Sequence, residues 1–227
     1  LNWKLLLNPG LYLGEEYAKH NLEIENGTMY DFLCLCLKNI GRGEINKYST
    51  VLNKIFSFYR NFMTYNNPKV SKKNIAHHYD KSEELYDLFL DKKHRLYSCA
   101  YFHSDSESLE QAQENKINHL IKKLYLKPNM KLLEIGSGWG GISLDIARKS
   151  QCEVLGITLS ENQLEYSRKK AKELKLENQV SFELMDYREV KGKFDRILSV
   201  GMLEHVHAKY YNVFFKKIYE LMTEKGI

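Results

Sequence analysis

The stretch Leu132–Gly141, LLEIGSGWGG, constrains the fold of this chain more than any other. An apolar run that is typical of a buried strand contains Glu134, passes into a loop with four glycines, and continues as a helical pattern. A strand, a glycine loop and a helix N-terminus together offer backbone N–H groups and a helix dipole to the anionic part of a nucleotide-like ligand. The alternative is a glycine-rich turn without a ligand, which is unfavourable because every glycine loses conformational entropy on folding.

The strand after the glycine loop discriminates between nucleotide ligands. Gly136, Gly138 and Gly141 satisfy the spacing of a dinucleotide-binding loop, which also requires an acidic residue at the end of the next strand. The next strand, within Cys152–Ser160, has its acid at the beginning, at Glu153, and none at its end. A nicotinamide dinucleotide is therefore not expected.

Strand and helix patterns alternate along the second half of the chain. We predict strands over 131–135, 153–157, 180–184 and 194–200, and helices over about 108–126, 140–149, 161–175 and 208–222. This alternation predicts an α/β fold with a doubly wound parallel sheet and helices on both faces. The pattern stops where a further strand should begin, so we expect a sheet truncated after its fourth strand and a chain that is a fragment.

Residues 1–70 predict a small, mainly helical region, separate from an α/β domain over 71–227. An amphipathic helix is predicted over 51–65, and the window 38–73 carries a net charge of +7, from eight Lys or Arg against Glu44. A core-facing helix and a helix at a membrane interface both fit this pattern. The charge favours an anionic lipid surface over nucleic acid, because the window lacks the base-stacking strands typical of RNA-binding domains.

Composition and cysteine spacing exclude several classes of protein. The chain of 227 residues is 43% hydrophobic, enough for a real core, and no apolar run approaches the roughly 18 residues that span a bilayer. The first ten residues do not form a secretory signal pattern. Four cysteines without zinc spacing indicate reduced thiols in the cytoplasm. No metal site is predicted, and four histidines resemble a metal-binding group only superficially: His77, His78, His205 and His207.

Five motifs stand in one order along the chain: YSCAYF from Tyr97, LLEIGSGWGG from Leu132, GITLSENQ from Gly156, MDYRE from Met185 and FDRILSVGMLEHV from Phe194. Together they resemble the cyclopropane-fatty-acyl-phospholipid synthase family and its mycolic-acid relatives, and the resemblance covers nearly the whole chain. It implies the Rossmann-like fold of S-adenosylmethionine-dependent methyltransferases. The implied reaction adds the methyl carbon of S-adenosylmethionine to a cis double bond of a phospholipid acyl chain and closes a cyclopropane ring.

The resemblance also implies a set of cofactor contacts. Asp186 would hydrogen-bond the adenine and Tyr187 would stack on it. Gln163 has a competing role, because Ser160 and Gln163 also have the spacing of a capping box. Ser137 replaces a cysteine that is common in the family, and its similar size should leave binding intact. The full set is Tyr97, Ser98, Glu134, Gly136, Gly138, Gly140, Thr158, Gln163, Asp186 and Tyr187.

Cys99 and Glu204 match two positions at which the family binds a bicarbonate that acts as the base. The reaction leaves a carbocation on the acyl chain, which aromatic faces can stabilise, and a proton must then be removed. We expect Glu204 in an apolar setting rather than as a surface acid, and a packed core thiol is an additional interpretation of Cys99. A histidine and a tyrosine of the same pocket come from downstream segments that this chain does not contain.

The resemblance further implies unsaturated phospholipid acyl chains as partners, peripheral binding to the inner membrane face from the cytoplasm, and allows a homodimer. A fatty-acid methyltransferase that stops before ring closure is the alternative that is hardest to separate. A small-molecule N-methyltransferase needs no bicarbonate pocket, so Cys99 with Glu204 argues against it. A non-catalytic lipid-binding module is disfavoured because the glycine loop and the TLSENQ motif are both retained.

Overall fold

The computed structural model describes residue 3 and residues 9–40, 83–206 and 208–227. The chain divides into two compact units, Leu1–Tyr65 and Asn66–Ile227. The predicted helix over 51–65, most of the basic window, and the predicted boundary at 70/71 lie outside the described residues. So do three of the histidines considered above: His77, His78 and His207. No helix in the described ranges is long and apolar enough to cross a bilayer.

The first unit contains two described helices, α1 (Pro9–Ala18) and α2 (Met29–Ile40). The proline at the first position of α1 is favourable, because its missing N–H would have no helical partner there. A reciprocal box opens α2: Thr28 N–H donates to Asp31 Oδ2 at 2.9 Å, and Asp31 N–H donates to Thr28 Oγ1 at 3.2 Å. These helices confirm the helical character predicted for this part of the chain.

A parallel sheet forms the centre of the second unit. Its four described strands lie in the order β3-β2-β1-β4. The predicted parallel α/β sheet is confirmed, with two strands at their predicted bounds, one extended by a residue and the fourth shorter than 194–200. The bounds are β1 Lys131–Ile135, β2 Glu153–Thr158, β3 Val180–Leu184 and β4 Arg196–Leu198.

The end of the chain pairs with the edge strand β4. Ile227 N–H donates to Asp195 O at 3.2 Å, and Ile197 N–H donates to Ile227 O at 2.9 Å. This is the hydrogen-bond pattern of parallel strands, at the place where the sequence predicted that a further strand begins.

Five helices accompany the sheet in the described part of this unit. Ser108 caps the long helix before β1, accepting the Gln111 N–H at 3.2 Å. That helix ends before Leu126, because Tyr125 turns into the left-handed region with φ +48°. The bounds are α3 Glu83–Asp87, α4 Leu109–Lys123, α5 Gly141–Ser150, α6 Glu161–Glu173 and α7 Tyr211–Leu221, with single 3₁₀ turns at Tyr187–Glu189, Leu203–His205 and Ala208–Tyr210.

Both faces of the sheet are covered by apolar clusters. Leu132 belongs to a cluster that includes Ile146 of α5, whereas Leu133 belongs to a second cluster that includes Phe214 of α7. Successive strand residues point to opposite faces, so β1 is buried on both sides. Fully burying each such leucine contributes about 1.5–3 kcal/mol.

The strand order creates a crevice beside β1. The chain runs from β1 outward through β2 to β3 and then crosses to β4 on the other side of β1. The loops that follow β1 and β4 therefore diverge. In open α/β sheets this switch point, at the carboxyl ends of the strands, is where ligands bind.

Candidate cofactor and active site

A cavity of about 370 Å³ lies at the carboxyl ends of all four described strands. The glycine loop after β1, Thr158 at the end of β2, the turn after β3 and the loop after β4 contribute to its wall. Nine of the ten cofactor residues predicted from the sequence line this single cavity. They are Tyr97, Ser98, Glu134, Gly136, Gly138, Thr158, Gln163, Asp186 and Tyr187.

The glycines of the loop have different roles, which the sequence did not reveal. Gly138 has φ +54°, and a Cβ atom placed on it would meet nothing within 4 Å, so this glycine keeps space open beside the cavity. Gly140, with φ +84°, does not line the cavity, and a Cβ there would lie 2.8 Å from Phe182 Cζ. A Cβ on Gly141 would overlap the backbone oxygen of His94. The prediction that Gly140 admits the ligand is therefore corrected: its role is close packing against β3.

Two buried polar atoms of the glycine loop lack a hydrogen-bond partner among the described residues. They are Ser137 Oγ and Trp139 Nε1, and both residues line the cavity. Buried polar atoms in folded proteins are nearly always paired. A ligand with polar groups in this cavity could provide the missing partners.

Glu134 lies under the loop at the end of β1 and is only 2% exposed. Its carboxylate accepts a hydrogen bond from the Ser143 hydroxyl of α5. Burial raises the pKa of Glu134 to about 7, although the hydrogen bond from Ser143 acts in the opposite direction. The carboxyl group is therefore poised between its neutral and ionised forms near neutral pH.

Thr158 and Gln163 form one buried pair on the cavity wall. Thr158 Oγ1 donates to Gln163 Oε1 at 2.8 Å and accepts the Ser160 N–H at 3.2 Å. Ser160 Oγ accepts the Gln163 N–H at 3.4 Å, so Ser160 is the predicted N-cap of α6. The reciprocal half of the capping box does not form, because the Gln163 side chain is bonded to Thr158 and Thr158 serves the Ser160 N–H instead.

A second acidic residue of the cavity, Asp186, follows β3 and is already paired. Asp186 Oδ1 accepts from Arg188 Nε at 2.8 Å, and Oδ2 lies 2.7 Å from the same guanidinium. This pairing raises the pKa of Arg188. The Tyr187 ring packs edge-on against Phe214, with centroids 5.1 Å apart, and the guanidinium lies 5.5 Å from the Tyr187 ring centroid. Sequence reasoning missed Arg188, which bonds the same carboxylate that was predicted to reach adenine.

Residues 91–98, here called the 91–98 segment, supply a further wall of the cavity. The buried Asp91 carboxylate accepts three backbone N–H groups, from His94 at 2.6 Å, Arg95 at 3.2 Å and Leu96 at 2.8 Å. Several donors to one carboxylate hold a tight backbone turn in place. The turn brings the Tyr97 and Ser98 side chains to the cavity.

Arg95 is a buried cation in the cavity wall that sequence reasoning also missed. Its guanidinium lies 4.3 Å from the Trp139 ring centroid and 4.5 Å from the Tyr166 ring centroid. It also pairs with Asp87 at 2.9 Å. Two aromatic faces and one carboxylate compensate the burial of the charge.

Cys99 and Glu204 are both exposed, and neither lines the cavity. The expected apolar setting of Glu204 and the packed thiol of Cys99 are therefore wrong. A Cβ atom on Gly201, which lines the cavity, would lie 3.8 Å from Glu204 Oε1 and 3.4 Å from Ser98 Cβ. Glu204 thus stands at the cavity edge near Ser98, and the catalytic roles of Glu204 and Cys99 stay predictions.

Comparison with known proteins identifies the family. A family model described as mycolic acid cyclopropane synthetase matches residues 66–227. The chain belongs to this family. The match confirms the family that the motifs indicated, and it assigns the chain to the S-adenosylmethionine-dependent methyltransferase class.

Similar proteins agree with this membership. A probable fatty acid methyltransferase of Pseudomonas putida is 40% identical over 67% of this chain and 39% of its own length. The cyclopropane-fatty-acyl-phospholipid synthase of Escherichia coli strain K12 is 39% identical over 66% of this chain and 38% of its own length. A crystal structure of mycolic acid cyclopropane synthase CmaA1 complexed with SAH (S-adenosylhomocysteine) and CTAB matches with a TM-score of 0.65 and 34% identity, over 67% of this chain and 53% of that one.

These proteins are longer than this chain, which spans between 38% and 53% of their lengths. The TM-score of 0.65 at 34% identity, together with the parallel sheet, shows that the described α/β unit has the Rossmann-like fold of these methyltransferases. The predicted fold class is confirmed.

A cluster of three residues with metal-ligating atoms lies behind the 91–98 segment. His94, Glu114 and Asp145 place these atoms within 4.8 Å of one another, a grouping that no sequence pattern indicated. Lys93 and Lys149 pair with its carboxylates. Burial opposes ionisation of Glu114, but hydrogen bonds from the two lysines lower its pKa to about 2. The cluster is therefore an ion-pair network between α4, α5 and this segment.

Proposed function

We propose that this chain carries the cofactor site of an enzyme that adds the methyl carbon of S-adenosylmethionine to a cis double bond of a phospholipid acyl chain and closes a cyclopropane ring. The observation that carries the proposal is the cavity at the strand ends, lined by nine of the residues expected around the cofactor, in a member of this family. The relatives are longer than this chain, and the activity is proposed for a protein of their full length.

The cavity residues fit S-adenosylmethionine. Gly138 leaves open space, Ser137 Oγ lacks a partner among the described residues, and the wall has no carboxylate at the end of β2 that would suit a nicotinamide dinucleotide. We propose that the glycine loop and Ser98 hold the amino-acid part, while Thr158, Gln163 and the Asp186 turn hold the nucleoside. The bound cofactor supplies an electrophilic methyl group.

The site must also stabilise a positive charge on the substrate. Addition of a methyl group to an alkene leaves a positive charge on the acyl chain, and ring closure requires the loss of a proton. Tyr97 packs edge-on with Phe89 and Tyr86, at centroid distances of 5.7 and 5.9 Å, so an aromatic group stands beside the cavity. Such faces stabilise cations. We propose that they serve this purpose here.

Bicarbonate is the base that the family resemblance implies. We propose that Glu204 accepts the bicarbonate O–H at the cavity edge and so orients its basic oxygens, and that Cys99, the chain neighbour of Ser98, is the second contact of the bicarbonate. Glu204 lies close to Ser98 and Gly201, which both line the cavity, and this supports the assignment.

The proposed substrate lies in a membrane, so the enzyme must come to the bilayer. The window 38–73, with its charge of +7, and the amphipathic pattern over 51–65 support peripheral binding to anionic lipid. We propose that this region provides the membrane attachment.

A fatty-acid methyltransferase that stops before ring closure is the second candidate. Two observations favour it: the similarity to the Pseudomonas putida relative, and the exposure of Cys99, which does not line the cavity. Both reactions pass through the same charged acyl chain. They differ in which proton is then lost, because ring closure removes a proton from the added methyl group, whereas simple methylation removes one from the chain.

Deuterium labelling separates the two reactions. Full-length protein is incubated with vesicles of cis-unsaturated phosphatidylglycerol and S-adenosylmethionine that carries a trideuterated methyl group, and the acyl chains are analysed by mass spectrometry. Ring closure predicts a product that retains two of the three deuterium atoms and has no double bond. Retention of all three with a remaining double bond would establish the second candidate, and an unmodified lipid would overturn both.

A further inference from the structure

Lys116 of α4 is a buried cation that contacts Ser98, a residue of the cavity wall. The residue is 8% exposed, and its Nζ lies 2.7 Å from Ser98 Oγ and 3.3 Å from Ser98 O. Gln113, one turn earlier on the same helix, donates from Nε2 to Ser98 O at 3.1 Å. A spacing of three residues places both side chains on one helix face. Two side chains of α4 therefore hydrogen-bond to Ser98.

The chemistry of these contacts fixes the role of the Ser98 hydroxyl. A lysine ammonium can only donate hydrogen bonds, so Ser98 Oγ must accept from Lys116. The Ser98 hydroxyl proton must then be donated in another direction. Ser98 lines the cavity, so a ligand there can accept this proton.

On the basis of the proposed function, we propose that Lys116 is a positioning residue that makes Ser98 a hydrogen-bond donor into the cavity and gives this end a positive charge, so that it selects a carboxylate. The amino-acid end of S-adenosylmethionine carries such a group. Bicarbonate has the same planar oxygen geometry and is the other source of this chemistry. Ser98 would contact the anion directly, whereas Lys116 would act through Ser98.

The electrostatic surroundings of Lys116 leave its amine mostly charged at neutral pH. Burial lowers the pKa of Lys116 to about 8, while Asp91, Cys99 and Glu134 act in the opposite direction. The amine is therefore mostly charged at neutral pH and loses its proton as the pH rises through about 8. A charge that little water screens acts more strongly on a neighbouring anion than an exposed lysine does.

A pair of ligands tests the inference. S-adenosylhomocysteine and 5′-methylthioadenosine share the nucleoside and the thioether, but only the first has the amino-acid carboxylate. Both are titrated by calorimetry into the wild type, Lys116→Met, Ser98→Ala and the double variant. Lys122→Met, at an exposed lysine of the same helix, is the matched control, and thermal melting verifies that each variant is folded.

We expect Lys116→Met to weaken S-adenosylhomocysteine about tenfold to a hundredfold, the range for a charge-assisted hydrogen bond, and to leave 5′-methylthioadenosine unchanged. The double variant should be no weaker than the stronger single effect, because Lys116 acts through Ser98. Wild-type affinity for S-adenosylhomocysteine should fall as the pH rises through about 8, and that limb should disappear in Lys116→Met.

Other results decide against the inference or identify the anion. Equal losses for both ligands would mean that Lys116 only supports packing, and additive losses would mean that it does not act through Ser98; either overturns the inference, as does unchanged binding. If Lys116→Met instead weakens the binding of bicarbonate titrated into the S-adenosylhomocysteine complex, the carboxylate selectivity stands, and bicarbonate is the anion that Ser98 contacts. A wild type that binds neither nucleoside overturns the proposed function itself.

Discussion

Gly138 offers the sharpest perturbation of the cavity. It has the left-handed φ of +54°, and a Cβ atom there would meet no protein atom within 4 Å. Gly138→Ala therefore adds one methyl group to the open space where the ligand is proposed to bind, with no clash inside the protein. The substitution should separate ligand binding from folding.

The magnitude of both effects can be worked out from this geometry. An alanine in the left-handed region costs about 1 kcal/mol relative to glycine. That cost lowers the melting temperature by roughly 2–4 °C for a domain of this size. An added methyl in a filled site costs about 1–3 kcal/mol, which is a loss of about 5-fold to 150-fold in affinity for S-adenosylhomocysteine.

Two other glycines provide the controls. Gly192 also has a positive φ, of +101°, and open space at its Cβ, but it does not line the cavity. Gly192→Ala should lower the melting temperature by a similar or somewhat larger amount and leave binding unchanged. Gly141→Ala would drive a methyl group into the His94 carbonyl, so it should fail to fold stably.

Thermal melting of all three variants and calorimetric titration of Gly138→Ala and Gly192→Ala measure these effects together. If Gly138→Ala binds S-adenosylhomocysteine as tightly as Gly192→Ala does, the space beside Gly138 is not part of the ligand site. The placement of the cofactor against the glycine loop would then be refuted.

Three further predictions address catalysis, stability and membrane binding. Glu204→Gln in the full-length enzyme should bind the cofactor normally but lose about a hundredfold or more in turnover, whereas Glu220→Gln, at an exposed acid of α7, should have no effect; an unchanged rate would make Glu204 a surface residue. Burial raises the folded-state pKa of Glu134 to about 7, so folding disfavours its ionised form, and wild-type stability should fall as the pH rises from about 4.5 to 7. The unfolding free energy of Glu134→Gln relative to wild type should therefore rise by about 3 kcal/mol between pH 4 and pH 8, measured by denaturant titration, and a constant difference would contradict the shift. The double variant Lys54→Glu, Arg60→Glu should co-sediment more weakly with anionic vesicles. Vesicle binding that is independent of both salt and lipid charge would instead mean that the 51–65 pattern belongs to a core-facing helix.

Local patterns were sufficient to predict the sheet. β1 and β3 are short apolar runs between turn signals, and both lie at their predicted bounds. β4 is shorter than its apolar run because its ladder with β1 covers only Arg196–Leu198, and Phe194 pairs instead with Met222. Strand length thus depended on a neighbour that the local sequence does not specify.

The cavity residues were predicted through motif resemblance, and their individual roles depended on packing. The true role of Gly140 required the position of Phe182, which is more than forty residues away in the chain. Lys116 is a polar residue within an amphipathic helix, and only the fold brings Ser98 to it. Contacts of this kind leave no periodic or compositional signal, so sequence reasoning alone cannot supply them.

Calorimetric titration of the chain with S-adenosylhomocysteine and with NAD, under the same conditions, tests the central claim most directly. The glycine loop that lines the cavity has the spacing of a dinucleotide-binding loop, but the end of β2 carries Thr158 rather than an acid. We predict saturable binding of S-adenosylhomocysteine in the micromolar range or tighter, and no measurable binding of NAD. Binding of NAD with none of S-adenosylhomocysteine would contradict the account.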